Sequence, residues 1–110
     1  MGAVALTCDV TKPPDVKNLA TNVGFLVKGR KRLWCVINNA GVGDSGRMDW
    51  VDNKTLRWCM EVNYFGLVDV TQALLPLLKL CRHSRIINVS SMAGTLGSPN
   101  MGPYCGEYKY

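Results

Sequence analysis

Val36-Ile37-Asn38-Asn39-Ala40-Gly41 decides how this chain is read: an apolar run ends abruptly in two amides, a small residue and a glycine. Arg85-Ile86-Ile87-Asn88-Val89-Ser90-Ser91 repeats the transition, and Cys8-Asp9-Val10-Thr11 closes a third run in the same manner. Short apolar runs free of breakers read as buried strands. In an open parallel sheet, the carboxyl ends of the strands border the crevice where ligands sit. Three strand ends are thus expected to share one edge.

Outward from these ends, Ala3 to Cys8 reads as the first strand. Thr11-Lys12-Pro13-Pro14-Asp15 opens a helix, with a polar cap candidate and prolines tolerated in the first turn. Val16, Leu19, Ala20, Val23, Leu26 and Val27 follow at helical spacing until Gly29. Leu33 to Asn38 is the second strand. A long helix is expected from Asp52 or Asn53 to about Leu80, then a third strand from Arg85 to Val89 and a loop from Ser90 to Pro103. Strands alternating with helices make an α/β domain with a parallel sheet. The long helix is apolar on two sides: Leu56, Cys59, Met60, Leu67, Leu74 and Leu78 on one, Trp58, Val62, Phe65, Ala73 and Leu77 on the other. A helix apolar on two faces is buried on two faces, so a subunit contact is expected there.

Composition narrows the classes. With 110 residues there is one domain at most, and 47% hydrophobic content suits a packed core. The formal charge is +5, but the basic residues are scattered apart from Lys28-Gly29-Arg30-Lys31-Arg32, which reads as a solvated turn. Nucleic-acid binding would want a basic stripe with stacking aromatics, and none is expected. Cys8, Cys35, Cys59, Cys81 and Cys105 lie far apart and are odd in number, which suggests free thiols in a reducing compartment. His83 stands alone, so no metal site is expected. The first seven residues lack the basic flank and cleavage site of a signal peptide, and no apolar run is long enough to span a bilayer. The expected location is intracellular, either cytoplasmic or peripherally membrane-associated.

Gly41-Val42-Gly43-Asp44-Ser45-Gly46 matches G-x-G-x-x-G after a strand. The acidic residue twenty positions on, Glu61, falls in the long helical pattern rather than at a second strand's end, which argues against a dinucleotide fingerprint. These glycines are better read as letting backbone turn sharply and approach a ligand. Ser90, Ser91 and Tyr104 are a stronger set. Serine can donate to or accept from a substrate oxygen, and tyrosine can move a proton if its acidity is raised. Free tyrosine titrates near ~10, so a nearby cation is needed. Taken singly, Ser-Ser after a strand is a turn device, and Asn63 on the apolar stripe is either a satisfied core amide or a functional one.

Asn38-Asn39-Ala40-Gly41, Asn63, Ser91 and Tyr104, thirteen residues after Ser91, together resemble the short-chain dehydrogenase/reductase family. Asp9-Val10-Thr11 matches that family's third-strand end. Leu33 to Gly41, with Tyr104-Cys105, is most similar to its retinol and hydroxysteroid dehydrogenase branch. The resemblance implies a Rossmann-like, doubly wound parallel sheet, here truncated to three strands and flanking helices. It implies a domain over residues 1–105 and a divergent tail at 106–110. It implies an NAD- or NADP-dependent oxidoreductase acting on a small lipophilic alcohol or carbonyl such as a retinoid or steroid. By that precedent Asp9 and Val10 hold the adenine ring, while Asn38, Asn39, Ala40 and Gly41 line the cofactor's path. Asn63 helps hold a proton-relay water, Ser91 orients the carbonyl and Tyr104 is the general acid or base. An oligomer of like or unlike chains through the long helix is also expected.

The chain departs from the family pattern twice. The family's glycine-rich phosphate turn and first two strands would precede Ala3, so NAD and NADP both stay open. In the doubly wound order those two strands separate Ala3–Cys8 from Leu33–Asn38 by about 14 Å. Either a nonfamily pairing of these two segments or a marginally stable chain is therefore expected. The family also carries Lys four positions after the catalytic tyrosine, where this chain has Tyr108 and then Lys109. One extra helical step turns a side chain by about 100°. Lys109 is thus expected to point away, and the isolated chain to be inactive.

Overall fold

The computed structural model describes residues 2–29, 31–43, 46–47, 49–98 and 100–107. Helix α1 (Pro13–Leu26) leads to strand β1 (Cys35–Asn38), and helices α2 (Asn53–Met60) and α3 (Leu67–Leu78) lead to strand β2 (Arg85–Asn88). A π-helical stretch, Glu61–Gly66, joins α2 to α3, and a short helix α4 (Gly102–Glu107) follows a 3-10 turn at Met92–Gly94. The strands pair in parallel, Cys35 with Arg85 through Asn38 with Asn88.

Local chemistry accounts for these elements. Asp52 caps the long helix, its carboxylate accepting from the Thr55 amide at 2.6 Å. α1 starts on Pro13, where a missing N–H costs nothing. Thr11 is not its cap. The Thr11 amide and hydroxyl donate instead to Asp9, at 3.0 and 2.7 Å, and Lys12 is the N-cap.

The core lies between the sheet and the two helices on one of its faces. Val36, Leu74 and Leu78 are buried there, with Ala20, Val23, Leu33, Val70 and Leu77 packed around them. Ile37, Ile86, Ile87 and Val89 remain exposed. The chain is extended: the radius of gyration is 16.2 Å, against about 13 Å for a compact chain of this length.

Three expectations need correction. Ala3–Cys8 is not a strand: the sheet among the described residues has two strands, and residues 2–7 are exposed. The reason is that a strand exists only where a neighbour takes its N–H and C=O groups. Neither β1 nor β2 pairs with this segment, so the nonfamily pairing does not occur. The buried run Leu33–Asn38 shortens to Cys35–Asn38 and buries alternate residues, because one face alone is covered. The stretch Ser90–Pro103 is also not all loop, since it holds the 3-10 turn and the first residues of α4.

Candidate active site

Both strands end at the same edge, and Asn38 ties them together. Its Nδ2 donates to the Asn88 Oδ1 at 2.8 Å and to the Thr71 Oγ1 on α3 at 2.9 Å. The Val89 amide donates to the Asn38 carbonyl at 2.9 Å. Asn38 is 9% exposed, and an amide so buried needs such partners. It therefore holds the strand ends to the helix, while Asn39, Ala40 and Gly41 stand exposed beyond it.

Asn63 lies in the π-helical stretch, a feature that often marks functional sites. Its Oδ1 accepts from the Val42 amide and its Nδ2 donates to the Val42 carbonyl, both at 2.8 Å. One side chain thus satisfies both main-chain groups of a loop residue and fixes the Asn39–Gly43 turn against the helix. Across that turn, a Cβ placed on Gly43 would lie 3.3 Å from Tyr104 Cε2. The Tyr104 ring on α4 therefore packs over the loop that Asn63 holds.

Ser91 sits just past β2 as the N-cap of the 3-10 turn. Its Oγ accepts from the Ala93 amide at 3.2 Å, which leaves the hydroxyl proton to be donated elsewhere. α4 packs on this same turn. Ser91, Asn63 and Tyr104 are thereby all carried on segments at the carboxyl edge of the sheet. Lys109 and Tyr108 lie outside the described residues.

Beside the edge is a crevice of about 110 Å³ lined by Cys8, Val10, Leu19, Ile37 to Ala40, Gly66, Leu67 and Val70. It brings Val10 together with Asn38, Asn39 and Ala40, but neither Asp9 nor Gly41 lines it. The Asp9 carboxylate faces its own turn. Hydrogen bonds from the Thr11 hydroxyl and amide, and then Lys12, hold its carboxyl below the usual carboxylate range. Burial, with Asp15 and Asp9 nearby, pushes the Cys8 thiol up, so it is a poor nucleophile.

Gly66 was not among the expected site residues. A Cβ there would come within 2.7 Å of Val10 Cγ2 and 3.2 Å of the Glu61 carbonyl oxygen. Only glycine lets the helix approach Val10 this closely, and the signal was a lone glycine inside a strong helical pattern. Among the described residues of the Gly41–Gly46 run none lies in a helix, and Gly43 passes close to the Tyr104 ring. Among the described residues no cluster of His, Cys, Asp and Glu could hold a metal, and no helix is long and apolar enough to cross a membrane.

Likeness to known proteins is extensive in sequence and fold. Dehydrogenase/reductase SDR family member 9 of Bos taurus is 49% identical over 89 residues, 80% of this chain and 27% of that protein. Estradiol 17-beta-dehydrogenase 2 of Mus musculus is 44% identical over 94 residues, 83% of this chain and 24% of that protein. The chain spans about a quarter of the length of these curated relatives. The crystal structure of a short chain dehydrogenase/reductase from Burkholderia phymatum in complex with NAD superposes with a TM-score of 0.84 at 26% identity, over 96% of this chain and 37% of that one. The sequence profile described as short chain dehydrogenase matches residues 1–106. With two strand ends, their asparagine tie and the tyrosine-bearing helix on one edge, the chain belongs to the short-chain dehydrogenase family.

Proposed function

We propose that these residues form part of an NAD- or NADP-dependent oxidoreductase acting on a lipophilic alcohol or carbonyl, such as a retinoid or steroid. The carrying observation is the Asn39–Gly43 turn, held by Asn63 through Val42 and covered by the Tyr104 ring. A loop gripped from both sides is a preorganised platform for a reacting oxygen. The names of the two relatives support the substrate class, and the NAD in the Burkholderia structure supports the cofactor.

The crevice fits one end of a dinucleotide. Val10, Leu19 and Ile37 offer apolar walls to a flat ring, and the exposed turn at Asn39 and Ala40 offers peptide groups to its polar edge. At about 110 Å³ it is smaller than the ~300–1,000 Å³ of a whole ligand site. Nicotinamide, when bound, supplies the hydride chemistry. In this reading Tyr104 passes a proton to or from the substrate oxygen, and Ser91 donates its hydroxyl proton to orient that oxygen. Asn63 holds the adjoining turn in place and helps position a proton-relay water. Asp9 acts by shaping the Val10 turn. The domain in this reading is residues 1–105, with 106–110 a divergent tail, in a reducing intracellular compartment.

A titration tests this. NADH and NADPH fluorescence should respond weakly to the 110-residue chain and less to Val10→Glu. Retinol or estradiol should not be turned over by the 110 residues alone, which hold neither the phosphate turn nor Lys at 108. Absence of any nucleotide response would overturn the cofactor reading. Steady turnover, abolished by Tyr104→Phe, would instead overturn the inactivity of the isolated chain.

One observation favours a second reading, a noncatalytic chain that binds a full-length relative through the long helix. Trp58, Tyr64 and Phe65 are exposed along it, beside a groove lined by Leu56, Arg57, Met60 and Glu61. Apolar surface of this kind marks association. Light scattering that shows a monomer alone and in mixture with such a relative would eliminate it.

A further inference from the structure

Charge on this chain is segregated along the strand direction. Seven of the thirteen Lys and Arg fall in segments 28–32 (four) and 79–85 (three), and none of the eight Asp and Glu does. These segments are the connections from α1 to β1 and from α3 to β2. Both therefore lie at the amino edge of the sheet, opposite the candidate active site. Parallel pairing sets them side by side: Cys35 is in register with Arg85, and the Arg85 amide donates to the Trp34 carbonyl at 2.8 Å. Each connection turns through left-handed backbone, at Gly29 (φ 74°) and His83 (φ 63°).

The positive charge at this pole meets no carboxylate among the described residues. Arg32 donates to the carbonyls of Gly29 and Lys31, and Arg85 to those of His83 and Ser84. The ion pairs among the described residues, Lys12–Asp9 and Arg47–Asp49, lie in segments outside this pole. Large apolar side chains project among the cations: Phe25 is 61% exposed, Trp34 58% and Leu80 68%. Lys28 lies 4.1 Å from the centroid of the Phe25 ring.

We propose that this pole docks on an anionic lipid bilayer, with the Lys and Arg side chains on headgroup phosphates and carboxylates and with Trp34, Phe25 and Leu80 at the acyl boundary. A polybasic patch draws a protein to anionic lipid, and apolar side chains beside it add the second signal that stable attachment needs. Trp suits the interface because its ring is apolar and its N–H is polar. The exposed leucine distinguishes this patch from a nucleic-acid platform, which stacks bases on aromatic rings along a groove. Docked in this way, the chain keeps the Asn63–Tyr104 edge facing water. The proposal stands apart from the catalytic reading and does not depend on it.

Vesicle binding tests it. In a Trp50→Phe, Trp58→Phe background, Trp34 is the sole indole, and its emission should shift to the blue on vesicles of phosphatidylcholine with about one third phosphatidylserine. Pure phosphatidylcholine should bind at least ~tenfold more weakly. Lys31→Glu, Arg32→Glu and Arg82→Glu together should cut binding to the anionic vesicles by at least ~tenfold. Lys17→Glu, Lys54→Glu and Arg57→Glu, an equal charge change away from the pole, should have little effect. Trp34→Ala leaves every charge and the main-chain pairing in place, and in the native-Trp background it should still weaken sedimentation with vesicles. Equal loss in both triple variants would reduce the effect to net charge and overturn the proposal. Binding without a blue shift, or tighter binding to a single-stranded oligonucleotide than to vesicles, would overturn it as well.

Discussion

Asn63 and Val42 form a closed pair: one side-chain amide takes both main-chain groups of one loop residue, each at 2.8 Å. The loop's geometry is therefore set from a helix twenty-one positions away in sequence, and it can be unset there. Asn63→Ala should cost about 1–3 kcal/mol, because it strands a part-buried N–H and C=O. Asn63→Asp keeps the acceptor but sets a carboxylate oxygen against the Val42 carbonyl where Nδ2 donated, and should cost at least as much as the alanine. Urea unfolding measures both, and hydrogen exchange at the Val42 amide should quicken in the alanine variant.

Gly66 and Val10 are matched in a tighter way. Gly66→Ala puts a methyl 2.7 Å from Val10 Cγ2, which should cost about 1–3 kcal/mol of overpacking. Val10→Ala should recover part of that loss in the double variant, since Val10 Cβ itself lies 2.9 Å from the added atom. Strict additivity of the two in denaturation would show that they do not touch.

Thr71 matters through Asn38. Thr71→Val removes one of the two acceptors of the Asn38 Nδ2 and leaves Asn88 in place. Stability should fall by about 1 kcal/mol. Asn38→Leu removes the whole tie and should cost more than Thr71→Val. Equal midpoints for the two variants would contradict the role given to Asn38.

Asp52 makes helix stability depend on acid. The Thr55 amide, its first cause, then the Thr55 hydroxyl and Lys54, hold its carboxyl below the ordinary value of 3.8. A depressed folded value means that the unfolded chain takes up the proton more readily. The cap's contribution is thus present above that ordinary value and is lost as pH falls through the folded one. Thermal melts of Asp52→Ala and the unchanged chain should differ at pH 7 and converge at the acid end, below 3.8.

Much of the molecule was legible in the order of its residues. The alternation of apolar runs with helical spacing places α1, β1, the long helix and β2, since each obeys a period that neighbours in sequence enforce. Asn38 to Gly41 and Ser91 stand at strand ends and Asn63 on an apolar stripe, which are local signals, whereas Tyr104 and the functional weight of Asn63 came from the resemblance to the short-chain dehydrogenase/reductase family.

What tertiary structure decided is every property that needs a partner distant in sequence. Ala3–Cys8 has a strand's composition and forms no strand, because no neighbour takes up its main-chain hydrogen bonds. Asn63 looks from its stripe like a core amide, and only the fold puts the Val42 main chain within its reach. Gly66 is an ordinary helix interruption until Val10 is packed against it. Lys28–Arg32 is one solvated turn in sequence and half of a basic pole in space, because parallel pairing lays residues 79–85 beside it. A sequence encodes periodicity and the chemistry of each side chain, but pairing across fifty residues is chosen by which surfaces can bury each other.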